Sequence, residues 1–365
     1  MSYRKILIYH IGSLGDTLVA LPAFKAVRDN YPHARITLLT DIQNGEKRVQ
    51  CEEILRGSDL VDEYIYYLYD RSFLGKALRS IRMIELLVLL RRQRFDALMY
   101  LFPSGANNPR LKRDRLFFKS AGIKNIFGMS GFVMKQQSVL SHPLPMVTHV
   151  SDQLLARLAD SGLVVPASGE SGRYLNISAS ERAAVDRFAK NEPADGGRTW
   201  IAIGPGSKMP AKVWPKERFK ELVQRLIDTH DVWPVVFGGP EDAAIGQELI
   251  SQWGRGYVAA GNLGVREALA ALERCALYIG NDTGTLHMAV SVGVKCIGLY
   301  SARDYPGLWY PYGPGHTVFR YSLPCEGCMK EICIDNKMAC ILSIGVDEVY
   351  EAAVGYFPAR KGLTV

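Results

Sequence analysis

Three glycine-bearing stretches hold the residues of this 365-residue chain best suited to chemistry. The first is Gly280-Asn281-Asp282-Thr283-Gly284-Thr285-Leu286-His287, where an apolar run ends and a small-residue helix, Thr285 to Val292, begins. A helix N-terminus leaves backbone N–H groups unsatisfied and carries the positive end of the helix dipole, so it suits an anion. Gly284 lets a ligand approach the backbone, and Thr283 adds a hydroxyl donor. With Asp282 and His287 alongside, the stretch reads as a phosphate-binding turn. The alternative is a strand-to-helix turn capped by Asp or Thr.

The second stretch runs from Gly204 to Pro215. Its glycines expose backbone amides, Ser207 offers a hydroxyl and Lys212 a cation just ahead of a helix, the parts needed to neutralise a diphosphate leaving group. The third, His10-Ile11-Gly12-Ser13-Leu14-Gly15-Asp16-Thr17, is a tight turn flanked by Gly12 and Gly15 that presents Asp16, either as a reactive carboxylate or as a helix cap. A further turn, Gly238-Gly239-Pro240-Glu241-Asp242, places a carboxylate where ribose hydroxyls could be held, or where it pairs with a helix dipole.

What is missing narrows the chemistry. The spacing of a dinucleotide fingerprint, a Walker loop and Gly-x-Ser-x-Gly are all absent. No Asp-x-Asp pair is present to hold a metal–nucleotide complex, which favours lysine and amide groups as the phosphate ligands.

The elements that must carry these turns alternate. Strands are expected at Lys5–His10, Ala34–Thr40, Tyr64–Leu68 and Phe95–Phe102, with a helix from Asp16 to Asn30 and another from about Leu74 to Arg94. After a helix-like Val150 to Gly162, the Pro, Ser and Gly content of residues 164–172 marks a linker. A helix over Ser178–Lys190 then leads to strands at Trp200–Gly204, Trp233–Gly238, Tyr257–Ala260, Leu277–Gly280 and Lys295–Tyr300. Strands separated by helices imply an α/β protein with parallel, doubly wound sheets. Two such halves joined by a linker leave a cleft at the carboxyl ends of their strands, where ligands of open α/β sheets bind.

Composition sets outer bounds. Hydrophobic residues at 48% and charged residues at 22% are those of a soluble globular protein, and the length suggests two domains. The N-terminus runs into a strand without the pattern of a signal peptide, so a cytoplasmic location is expected. Within a formal charge of +7, Arg79, Arg82, Arg91, Arg92, Arg94, Lys112, Arg113 and Arg115 cluster in one segment. That cluster is a solvated face, or it meets an acidic substrate or an anionic membrane surface; no motif supports nucleic acid. The helix near residues 74–94 likewise reads as core packing or as a membrane-surface element. Seven cysteines without a secretory signal argue against disulfides. Cys51, Cys275 and Cys296 look structural. Cys325, Cys328, Cys333 and Cys340 have a spacing compatible with a tetrathiolate zinc or iron site, or are reduced thiols packing an irregular loop.

In combination, Gly-x-x-Gly-Asp after the first strand, Lys-x-Trp-Pro at Lys212 and Asp-Thr-Gly-x-x-His-x-Ala at Asp282 resemble glycosyltransferase family 9, the ADP-heptose:lipopolysaccharide heptosyltransferases. The resemblance implies a GT-B fold with two Rossmann-like domains facing a central cleft. An acceptor domain would span 1–172 and a nucleotide-sugar domain 173–345, with a C-terminal helix over 346–365 packing back on the first. It implies metal-independent, inverting transfer with no cofactor. Asp16 would be the catalytic base, with Gly12, Ser13 and Gly15 on the acceptor side. Ser207, Lys212, Asp282, Thr283, Gly284 and His287 would hold the donor. Asp242, with Glu241 as the alternative, would bind ribose, and Leu263 would lie against adenine. His10 departs from the Arg that many members carry there.

The expected partners are an ADP-sugar donor, most simply ADP-heptose, and an anionic glycan or glycolipid acceptor such as a lipopolysaccharide core at the inner-membrane face. A nucleotide-sugar epimerase of the same fold and a non-catalytic nucleotide- or glycan-binding protein are the alternatives.

Overall fold

The computed structural model describes residues 3–43, 49–69, 73–102, 107–132, 142–170, 172–190 and 195–357. The chain forms two compact units. Unit 1 holds residues 1–139, 148–170 and 174–176, and unit 2 holds 140–147, 171–173 and 177–365.

Unit 1 begins β1 (Lys5–Tyr9), α1 (Leu14–Val19), α2 (Leu21–Asn30), β2 (Arg35–Gln43), α3 (Cys51–Leu55) and β3 (Glu63–Tyr69). It continues α4 (Phe73–Gln93), β4 (Ala97–Tyr100), α5 (Asn108–Ser120), β5 (Asn125–Phe127) and α6 (Val150–Ala159). The five strands are parallel in the order β3-β2-β1-β4-β5. β1 is buried along Ile6–Tyr9 and β4 throughout, which explains their near-continuous apolar character. The helix expected from Asp16 to Asn30 is two helices. Pro22 sits in the first turn of α2, where its missing N–H costs nothing but where a helix running through from α1 would need it. The three-residue edge strand β5 and helix α5 were not expected.

Unit 2 begins α7 (Ala179–Lys190), β6 (Trp200–Gly204), α8 (Lys216–His230), β7 (Trp233–Val236), α9 (Ala243–Trp253), β8 (Tyr257–Val258) and α10 (Val265–Glu273). It ends β9 (Leu277–Asn281), α11 (Gly284–Ser291), β10 (Lys295–Leu299), β11 (Thr317–Phe319), α12 (Ala339–Leu342) and α13 (Val346–Val354). Its strands are also parallel, in the order β11-β10-β9-β6-β7-β8.

One core cluster gathers Ile201, Ile203, Trp214, Phe219, Leu222, Ile279, Ile297, Val349 and Ala353. Val349 and Ala353 belong to α13, which packs on α8. Helix α13 is thereby part of unit 2's own core; of the C-terminal element expected over 346–365, residues 358–365 lie outside the described residues. The segment 142–147 is tied into the same unit, with the Leu144 amide donating to Glu326 (2.6 Å) and the Val147 amide to the Pro306 carbonyl (2.9 Å).

Candidate functional site

In unit 2 the strand order reverses between β6 and β9, since β7 and β8 lie on one side of β6 and β9, β10 and β11 on the other. The loops after these two strands must part there, and that crevice is where open α/β sheets bind ligands. The loops are Gly204–Pro215 and Asp282–Thr283, two of the stretches singled out by sequence. Asn281, the fully buried last residue of β9, fastens them together. Its Oδ1 accepts from the Trp214 amide (3.0 Å) and its Nδ2 donates to the Pro205 carbonyl (2.7 Å). Trp214 is itself locked, with its indole N–H on the Ile344 carbonyl (3.0 Å) and its ring edge-on to Phe219.

This clamp presents Lys212, at the end of the 3₁₀ turn Pro210–Lys212, to the carboxylate of Asp282. Lys212 Nζ lies 2.5 Å from Asp282 Oδ2 and 3.5 Å from Asp304 Oδ2. Arg303 Nη1 donates to the same Asp304 oxygen (2.5 Å). All four side chains are largely buried, so two cations and two anions compensate one another at low dielectric. Burial pushes the Asp282 carboxyl above its ordinary value, and Lys212 opposes that rise. Asp282 thus faces the lysine, and an incoming phosphate would compete with it for the ammonium group. Arg303 and Asp304 carried no motif. The one available signal was their place directly after a predicted strand.

Beside this cluster α11 begins at Gly284, with Thr283 extended as its N-cap and no side chain capping the first turn. The Thr283 hydroxyl pairs with Thr285 (2.9 Å), which in turn meets the Tyr278 hydroxyl (2.8 Å). The Leu286 amide turns back to the Thr283 carbonyl (3.2 Å), and no side chain among the described residues takes the Gly284 or Thr285 amide, the kind of donor that suits an anion. His287 is buried one turn further along. Ser207 is half-buried and its hydroxyl accepts from the Met209 amide (3.2 Å).

The loops after β7 and β8 extend the same edge. Asp242 accepts from the Gly239 amide (3.0 Å) and lies over Gly206 and Gly238 so closely that a Cβ on either would overlap it. Burial raises its carboxyl, and the Gly239 bond counteracts this. Leu263 is half-buried in the turn after β8, its amide on the Ala259 carbonyl (3.2 Å).

The four thiols of Cys325, Cys328, Cys333 and Cys340 are unbridged and line one small cavity with Ala211 and Arg303. Among the described residues, no group of three His, Cys, Asp or Glu side chains is placed to hold a metal ion. The loop that carries the thiols braces the lysine turn. The Ala211 amide donates to Glu331 O (3.0 Å), and Arg303 donates to the carbonyls of Met329 and Lys330 (2.7 Å each).

In unit 1 the switch falls between β1 and β4, and the loop after β1 holds Gly12 and Ser13. Asp16, in the first turn of α1, accepts from both the Ser13 amide and the Ser13 hydroxyl at 2.7 Å. Both bonds fall on Oδ2, so the capping reading holds for that oxygen, while Oδ1 is left without a hydrogen bond among the described residues. Gly12 is required by contact, because a Cβ there would overlap the Asp16 side chain. Gly15 is partly exposed in the same turn. His10 is fully buried, its Nδ1 2.8 Å from the Leu101 carbonyl, which can only accept, so Nδ1 bears the proton. Burial pushes its basicity down, against the Leu101 carbonyl and the nearby charges of Asp16 and Asp41.

The sequence profile of glycosyltransferase family 9 (heptosyltransferase) matches residues 135–339. Lipopolysaccharide heptosyltransferase 2 of Escherichia coli is 30% identical over 314 residues, which cover 81% of this chain and 82% of that one. Lipooligosaccharide heptosyltransferase 2 of Haemophilus influenzae is 29% identical over 154 residues, and the match spans 40% of this chain and 44% of that relative. Among solved structures, a family 9 glycosyltransferase from Veillonella parvula superposes with a TM-score of 0.71 at 22% identity, covering 97% of each chain. The E. coli heptosyltransferase WaaC with ADP-2-deoxy-2-fluoro heptose does so with a TM-score of 0.63 at 17% identity, over 97% of this chain and all (100%) of that one.

Proposed function

The chain belongs to glycosyltransferase family 9, a family of heptosyltransferases, and from that premise we propose that it transfers heptose from ADP-heptose to a lipopolysaccharide core or a related anionic glycan. Transfer is inverting and needs no metal, and the protein works on the cytoplasmic side of the inner membrane as a peripheral protein. The observation that carries this reading is Lys212, held at the β6/β9 switch point 2.5 Å from Asp282, beside the uncapped first turn of α11. That constellation suits a leaving diphosphate, because cation and amides sit where negative charge grows as the glycosidic bond breaks.

Asp282 serves as the counter-ion that aims Lys212, and Thr283, Gly284 and Ser207 supply donors to the phosphates. His287 shapes the same helix turn. Asp242 holds ribose hydroxyls and Leu263 lies against the adenine. On the acceptor side Asp16 Oδ1 takes the proton of the attacking hydroxyl, with Oδ2 pinned by Ser13 so that the carboxylate cannot rotate. A carboxylate is a weak base, so proton removal accompanies attack. The relative solved with an ADP-heptose analogue supports the choice of donor.

The test is turnover of ADP-heptose with and without a lipopolysaccharide-core acceptor, for the parent and for Asp16→Asn. The parent should release ADP only when acceptor is present. Asp16→Asn, which keeps the cap geometry, should lose turnover by about a hundredfold or more and bind ADP unchanged. ADP-heptose consumed without acceptor, or a fully active Asp16→Asn, would overturn the reading.

A further inference from the structure

Helix α4 is apolar on two sides, and among the described residues only one of them packs into the core. Leu86 and Leu90 are buried in the core of unit 1, with Met83 and Leu87 packed against them. On the outward side Leu78, Ile81, Ile84, Val88 and Leu89 are 40%, 55%, 60%, 43% and 40% exposed. Positions 81, 84 and 88 follow one another at helical spacing, so these side chains form a stripe and not scattered single exposures. An ordinary surface helix carries polar residues there, and a contiguous exposed apolar face marks an interaction site.

The neighbouring helix says what kind of surface it meets. α4 and α5 pack together and bury their inner faces in the same core cluster, so their outer faces lie on one side of the sheet. On α5, Lys112, Arg113, Arg115 and Lys119 are exposed, and Leu116 among them is 69% exposed. Arg91, Arg92 and Arg94 are exposed at the end of α4. The two helices together carry ten Lys and Arg against only Glu85 and Asp114, in a chain whose whole formal charge is +7. Asp114 is buried. Much of the chain's excess positive charge thus lies on the two helices that carry this apolar stripe, with Arg91, Arg92, Lys112, Arg113, Arg115 and Lys119 exposed among the described residues.

We propose that the outer faces of α4 and α5 form a docking surface for an anionic lipid bilayer, with the α4 stripe entering the headgroup–acyl boundary and the basic rim meeting lipid phosphates. No helix among the described residues is long and apolar enough to cross a membrane, so α4 lies along the surface. A second copy of the chain fits the patch poorly, because a two-fold contact would set the same arginine rim against itself. The proposal takes from the functional reading only that the acceptor is membrane-borne, and its test uses no substrate. Loss of vesicle binding and loss of transfer are therefore separate results.

The experiment is co-sedimentation of the purified full chain with phosphatidylglycerol vesicles and with phosphatidylcholine vesicles, at 0.1 M and 0.5 M salt. Binding is expected to the anionic vesicles alone and to weaken about tenfold at the higher salt. The double variant Ile84→Glu, Val88→Glu should lose binding about tenfold or more, with melting temperature and ADP affinity unchanged because both side chains are exposed. Reversing Arg91 and Arg92 to Glu should also weaken binding without unfolding the protein. No binding to anionic vesicles, equal binding to neutral ones, or a folded Ile84→Glu, Val88→Glu variant that binds like the parent would each overturn the proposal. A concentration-dependent dimer abolished by the same variant, without vesicle binding, would assign the face to self-association instead.

Discussion

Replacing Lys212 by methionine removes one charge while keeping most of the side chain's length, and two consequences can be separated. The first concerns stability. Asp282 would be left buried with its nearest cation gone, since the Arg303 guanidinium is engaged with Asp304. Stranding one member of a buried ion pair costs about 3–5 kcal/mol, which in a unit of this size lowers the melting temperature by roughly 10 °C. The pH dependence has a definite sign. The Asp282 carboxyl already titrates above its ordinary value because burial outweighs the attraction of Lys212. The folded state therefore holds that proton more tightly than the unfolded chain, and stability falls as pH rises from the ordinary value through the folded one. Without Lys212 this window moves higher, so the variant should regain part of its stability between pH 7 and pH 5.

The second consequence concerns the donor. A charge-assisted hydrogen bond to phosphate contributes about 1.5–3 kcal/mol, so ADP should bind on the order of 10- to 150-fold more weakly. The double variant Lys212→Met, Asp282→Asn tells the two apart. Removing both charges should restore most of the melting temperature, because no bare carboxylate remains, yet leave ADP affinity low. Thermal melts at pH 5 and 7 and calorimetric titration with ADP on the parent and both variants give the answer. If the double variant binds ADP like the parent, Lys212 is a structural ion-pair partner and no donor ligand.

Three further outcomes follow from the same geometry. Asn281→Ala leaves the Trp214 amide and the Pro205 carbonyl unpaired; it should cost about 2–4 kcal/mol in a denaturant melt and weaken ADP binding. His10 and His316 both titrate below the ordinary histidine value, chiefly through burial, His316 at about 4. The unfolded chain then takes up protons first, so stability should fall as pH drops through about 6.5, and His10→Asn, which can still donate to Leu101, should show a shallower fall in melting temperature. Arg157 is buried with its guanidinium on the Phe102 carbonyl (2.7 Å) and over the Phe132 ring, yet it has no carboxylate partner among the described residues, and burial lowers its basicity to about 10. Arg157→Met should therefore melt within about 3 °C of the parent or above it; a loss of more than about 10 °C would show that the charge is compensated.

The turns that carry the candidate chemistry were legible because their signals are local. Gly12, Ser13 and Asp16 lie within one turn of chain, and their capping geometry follows from backbone conformation alone. The start of α11 after Thr283 is visible for the same reason, and the alternation of apolar runs with amphipathic helices is enough to imply parallel sheets. The break at Ala20 could also have been read, since Pro22 announces it. The short edge strands β5 and β11 could not, because three residues carry too little pattern to compete with loop.

What the amino-acid order determined by itself is therefore the set of loops and the family of folds that displays them. Which of those residues meet was decided by the sheet. Lys212 and Asp282 are 70 positions apart, and they touch because β6 and β9 are neighbours in an order the chain does not follow. Arg303, Asp304 and the Glu331 carbonyl join them through β10 and the cysteine loop. The same holds for α4, whose two apolar sides are alike in sequence until packing buries Leu86 and Leu90 and leaves Ile81 and Ile84 outside. Local spacing sets what a segment can offer, but an ion pair's partner and a helix's outer face are long-range facts, settled only when strand order and burial bring distant residues into contact.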